Sequence, residues 1–104
     1  MMTFEEFVNS GSRNAWVKEP GRLELYVRVS LPTTGTDYDL ANMVCRSPGK
    51  GSLTNFLDKY EPKHTFMIEN VMNVRLRDYF VRRGYVVIDG MGFGFGSYVL
   101  KDQG

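Results

Sequence analysis

One cysteine, one histidine, four prolines and a net charge of +1 in 104 residues exclude several kinds of chemistry from the start. A single thiol, Cys45, rules out an internal disulfide, and with His64 as the one imidazole there is no Cys/His set at zinc spacing, so no metal site is expected. The near-neutral balance gives no global field for nucleic acid, and binding of that kind would need a local patch. No apolar run is long enough to span a bilayer. The polar, acidic start Met1-Met-Thr-Phe-Glu-Glu6 is unlike a signal peptide, so a cytoplasmic location is expected. There is no internal repeat and no linker-like segment, which predicts a single domain over 1–104.

The chain does have enough apolar residues for a core, at 42% hydrophobic and 13% aromatic, a composition that predicts a folded globule. Its organising stretch is Leu40 to Tyr60, where an apolar strand-like run passes through Gly49-Lys50-Gly51 into an amphipathic helix. Leu53, Phe56, Leu57 and Tyr60 recur at i, i+3, i+4 and i+7 as one apolar stripe, leaving Thr54, Asn55, Asp58 and Lys59 on the wet side, with Ser52 as N-cap. Glycines ahead of a helix let backbone N–H groups converge. With Lys50 and the positive end of the helix dipole they form a phosphate cradle, or the turn is a tight connection without a ligand.

Around this stretch the remaining elements are legible. Thr3 and Glu6 have capping-box spacing and Met2 with Phe7 that of a hydrophobic staple, predicting a helix from about Thr3 to Ser10 stopped by Gly11. Ala15–Lys18, a turn at Glu19-Pro-Gly21 and Arg22–Leu31 predict a hairpin. Its second arm buries Leu23, Leu25, Val27, Val29 and Leu31 and exposes Arg22, Glu24, Tyr26, Arg28 and Ser30. Thr33–Asp39 reads as a polar loop. Pro62 ends the central helix, and His64–Val71 reads as a strand parallel to Leu40–Cys45 across a right-handed crossover. Asn73 caps a helix to about Arg83 with Leu76, Tyr79 and Phe80 on its buried edge, and Gly84 ends it. Tyr85–Ile88 and Ser97–Leu100 are the last strands. Between them Gly90–Gly96 is either the lip of a site or a loose hairpin.

Single residues carry alternatives of their own. Arg75, Arg77, Arg82 and Arg83 form a basic helix surface, solvated and salt-bridged through Asp78 to Arg75 or Arg82, or else touching phosphate. His64 reads as a surface histidine. Glu69 is a general base in a cleft or an outward strand residue, and Cys45 a small core residue rather than a nucleophile.

Two motifs between Asp39 and Val87 resemble those of the GNAT-type N-acetyltransferases, especially the short GNAT-like proteins of bacteriophage and mobile-element genomes. The acetyl-CoA loop Gln/Arg-x-x-Gly-x-Gly/Ala fits Arg46-Ser-Pro-Gly49-Lys-Gly51 literally. It fits Pro48-Gly-Lys-Gly51-Ser-Leu53 better in physical terms, since Phe56 and Leu57 then fall where the family has its buried leucine pair. The second motif, Asn-x-x-Ala-x-x-x-Tyr-x-x-x-Gly-Phe, is similar to Asn73, Leu76, Phe80, Gly84 and Tyr85 at unbroken spacing. The family tyrosine, which protonates the departing thiolate, is here Phe80, which has no proton to give. Tyr79 is its neighbour, about 100° round the helix.

The resemblance implies an α+β fold: a mixed, mostly antiparallel sheet of about six strands with a splayed central parallel pair and about three helices, thin at its N-terminal, acceptor-binding end. It implies acetyl-CoA or a related acyl-CoA as ligand, held by Met43, Cys45, Gly49, Lys50, Gly51, Ser52, Leu53, Asn73 and Phe80, with Tyr79 and Glu69 as the catalytic candidates and an amine as acceptor. Weak or degenerate catalysis is expected. The alternative is a non-enzymatic binding module of the same fold, a homodimer or a partner of nucleic acid or protein.

Overall fold

Thr3 and Glu6 cap α1 (Phe4–Ser10) reciprocally: the Thr3 hydroxyl accepts from the Glu6 N–H at 3.2 Å and the Glu6 carboxylate from the Thr3 N–H at 2.9 Å. Gly11, at φ 74°, ends the helix in the left-handed region that favours glycine. The structure is a computed structural model that describes residues 1–47, 49–71, 73–88 and 98–102. The Gly90–Gly96 segment lies outside them.

After α1 the chain forms the predicted hairpin, β1 (Asn14–Glu19) against β2 (Leu23–Val29), and then β3 (Tyr38–Cys45), antiparallel to β2. Leu23, Leu25 and Val27 are fully buried, but Val29 and Leu31 are 44% and 69% exposed. The alternation runs on in the sequence past the point where α1 and α2 cover the sheet. The Thr33–Asp39 loop is shorter than expected, because Pro32–Thr34 form a 3-10 turn and Tyr38 and Asp39 already belong to β3.

From β3 the chain crosses through α2 (Ser52–Tyr60) to β4 (Phe66–Val71), which runs parallel to β3 as the crossover requires. β4 starts two residues later than predicted, leaving His64 in the connection. Its ring is half-buried edge-on to Phe4 and Tyr38, with Nδ1 3.9 Å from Asp37, so it is not a surface histidine. α3 (Val74–Arg82), β5 (Tyr85–Ile88) and β6 (Tyr98–Asp102) complete a mixed sheet in the order β1-β2-β3-β4-β6-β5. The architecture is thus α+β with three α-helices and a mixed sheet. No helix among the described residues is long and apolar enough to cross a membrane.

The core gathers around Phe4, whose ring lies within 6 Å, centroid to centroid, of Tyr38, Phe56, Tyr60 and Phe66. The Phe4 N–H donates to the buried Glu19 carboxylate at 2.9 Å, tying α1 to the end of β1. A second buried group joins Phe80 to Tyr79 and Tyr85.

Two features of this frame define where a ligand has room. The parallel ladder between β3 and β4 consists of three register pairs, Tyr38 with Phe66, Asp39 with Met67 and Leu40 with Ile68. Beyond them β3 continues beside β2, Met43 opposite Leu25 and Cys45 opposite Leu23, while Val71 is opposite Tyr98 of β6. Secondly, the β1–β2 turn abuts the start of α2 so closely that a Cβ on Gly21 would fall 2.5 Å from the Ser52 Cβ.

Candidate functional site

The start of α2 has no side-chain cap. Gly51, at φ 72°, is the N-cap residue and Ser52 the first helical one, one place later than the sequence suggests. The first helical hydrogen bond runs from the Asn55 N–H to the Gly51 carbonyl at 2.9 Å. The N–H groups of Ser52, Leu53 and Thr54 therefore have no acceptor within the helix, and the positive end of its dipole is open. Ser52 does not cap because its side chain is buried, with its hydroxyl 3.2 Å from the Cys45 sulfur.

This helix start lines a cavity of about 540 Å³. Gly49, Gly51, Ser52, Leu53 and Thr54 form one wall, Leu23, Met43 and Cys45 the sheet side, and Asn73, Arg75, Leu76 and Tyr79 of α3 the far side. A second cavity of about 380 Å³ opens between β3 and β4 where their ladder ends, lined by Leu40–Met43, Ile68, Glu69 and Val71. Met43, Asn73 and Leu76 line both, so the two adjoin.

Of the residues the sequence proposes for a cofactor, Met43, Cys45, Gly49, Gly51, Ser52, Leu53 and Asn73 meet at the larger cavity. Cys45 is exposed there rather than packed in the core. Asn73 caps α3, its side-chain oxygen accepting from the N–H groups of Arg75 at 2.8 Å and Leu76 at 3.4 Å. Lys50 is exposed and lines neither cavity. Phe80 also lines neither: it is fully buried against Tyr79 and Tyr85, since Leu76 and Phe80, four apart, form the stripe that faces the sheet.

The tyrosine one step round α3 is the one that reaches the cavity. Tyr79 and Thr54 hydroxyls lie 2.6 Å apart, so Thr54 is turned toward α3 and not toward solvent. Below this contact Arg83 joins the same two helices, donating to Asp58 at 2.8 Å and to Glu61 at 2.5 Å, and Tyr85 donates to Glu61 at 2.8 Å. The bond to Glu61, and then that to Asp58, raises the Arg83 pKa above its ordinary value in spite of burial. Asp78 pairs with its neighbour Arg77 at 3.0 Å instead of Arg75 or Arg82. Arg75 lines the cavity without an ion-pair partner among the described residues.

Glu69 faces inward. It is 6% exposed, lines the smaller cavity and forms an ion pair with Arg28, which reaches it over β3. Thr54 and Arg28 are the site residues that sequence reasoning missed, while Arg75 belongs to the basic helix surface for which phosphate contact was one of the two readings; the one available signal for Thr54 was that it stands next to the apolar stripe and one helical turn before Asp58. Among the described residues no group of three His, Cys, Asp or Glu side chains is placed to hold a metal ion.

No protein-family model, curated protein or solved structure matches this chain.

Proposed function

We propose that this chain is a compact GNAT-like domain that binds an acyl-CoA, with its pyrophosphate at the open N-terminus of α2 and its pantetheine arm running through the larger cavity, past Met43 and Cys45 of β3 and Tyr79 of α3, toward the cleft where the β3–β4 ladder ends. One observation carries the reading: the uncapped helix start and the end of the parallel ladder open onto adjoining cavities. Free backbone N–H groups and the helix dipole suit phosphate oxygens. An unpaired strand edge suits the amide-bearing arm, and Arg75 adds a cation on the far wall.

The same reading makes slow acyl transfer to an amine the accompanying chemistry. The amine nitrogen attacks the acyl carbon, the carbon–sulfur bond breaks, and the departing thiolate takes a proton from the Tyr79 hydroxyl. Its place on the cavity wall, with Thr54 as partner, supports that role better than the buried ring of Phe80. Glu69 is engaged by Arg28, which leaves deprotonation of the amine to solvent and keeps the rate low.

The test compares Gly51→Asp with Gly51→Asn. Both place a side chain in open space at the same left-handed backbone position, but only aspartate adds charge at the anion site. CoA at about 100 times its dissociation constant should add roughly 2.7 kcal/mol to the stability of the wild type and of the asparagine variant, and much less to that of the aspartate variant. Equal CoA affinity in folded Gly51→Asp would sink the cofactor reading, and the non-enzymatic binding module would take its place.

A further inference from the structure

The smaller cavity differs from the larger one in what it would accept. Its floor is the last pair of the parallel ladder, Leu40 and Ile68, both fully buried, and its sides carry Met43, Val71 and Leu76. The volume, about 380 Å³, is that of a ligand pocket and not of a packing defect. Its one ionisable wall residue among those described, Glu69, is turned to the Arg28 guanidinium. What remains is a mainly apolar recess, with Asn42 and Asn73 among its lining, adjoining the cavity in which Tyr79 would meet the thioester.

We infer that the recess between β3 and β4 receives an uncharged aliphatic acyl chain longer than acetyl, so that the preferred ligands are short- to medium-chain acyl-CoAs. This rests on the acyl-CoA reading and adds the class of acyl group to it. An acetyl group leaves most of the recess to water. Each further methylene displaces that water and buries apolar surface of the half-buried Ala41, Met43 and Leu76, tightening binding about fourfold until the space is filled. An acyl group ending in a carboxylate gains nothing there, because Arg28, the partner of Glu69, is already paired and Glu69 repels a second negative charge.

Isothermal titration of the full chain with CoA, acetyl-, butyryl-, hexanoyl- and succinyl-CoA tests this. The expected order is hexanoyl over butyryl over acetyl, with a gain of about 15-fold from acetyl to butyryl and succinyl no tighter than acetyl. Ala41→Leu, which puts bulk on the recess wall, should lower the ratio of hexanoyl to acetyl affinity at least tenfold. A flat acyl series with CoA still bound, tighter binding of succinyl-CoA than butyryl-CoA, or an unchanged ratio in folded Ala41→Leu overturns the inference and leaves acyl-CoA binding standing. Absence of binding by every CoA overturns both.

Discussion

The hydroxyl groups of Tyr79 and Thr54 stand 2.6 Å apart and join α3 to α2 across the wall of the larger cavity. Each group is half-buried, so each depends on the other for a partner. Thr54→Val and Tyr79→Phe should each cost about 1 kcal/mol. In the double variant the loss should fall short of the sum by a measurable coupling energy, which denaturant titration of the four proteins would reveal.

On the proposed acyl-transfer reading, the two neighbouring aromatic residues of α3 should differ in their effect on rate. Tyr79→Phe should slow acyl transfer by about 10²-fold or more with CoA affinity retained. Phe80→Tyr should bring no gain, because its hydroxyl would be placed in the core at a cost of about 1–3 kcal/mol. A single-turnover assay in which Phe80→Tyr accelerates transfer while Tyr79→Phe does not would reverse the assignment.

Gly21 should resist substitution more than Gly11, Gly49, Gly51 or Gly84. Alanine there meets the Ser52 Cβ at 2.5 Å and must adopt φ 84°. The backbone conformation alone costs about 1–2 kcal/mol, and relief of the contact shifts the start of α2. Gly21→Ala should therefore lower both the melting temperature and the affinity for CoA, whereas Gly11→Ala, with nothing near its Cβ position, should lower the first only.

Acid should weaken the N-terminal cap of α1. The Glu6 carboxyl has its pKa lowered from 4.5 by the hydrogen bond to the Thr3 backbone and then by that to the Thr3 hydroxyl. A depressed carboxyl pKa adds stability that is present above the unfolded value and lost as pH falls through the folded one. Glu6→Gln keeps an N3 acceptor without the titration, so its stability should vary less than that of the wild type as pH falls below about 4.5. Thermal melts of both proteins from pH 7 to pH 3 give the comparison.

Signals that are local in sequence were legible: the reciprocal cap at Thr3 and Glu6, the Leu23–Val27 alternation, the Asn73 cap and the parallel sense of β4. The overrun at Val29 and Leu31 shows the limit of periodicity, which marks a face but not where the covering helices stop. Ser52 illustrates a competition: a good N-cap residue gave up the cap because the approach of Gly21 and Cys45 buries it. The Arg28–Glu69 pair, with a whole strand between its members, and the Tyr79–Thr54 contact, between two helices, depend on tertiary placement, to which residue spacing within one element is blind.

The position of Phe4 at the centre of the aromatic core bears on how the protein is made. The phenyl ring leaves the ribosome well ahead of Phe56, Tyr60 and Phe66, against which it packs and which follow only after several seconds at typical rates of synthesis. A seven-residue helix does not hold by itself in water. The nascent chain thus carries an unshielded apolar α1 until β4 has emerged, and that interval is when a chaperone has most to bind.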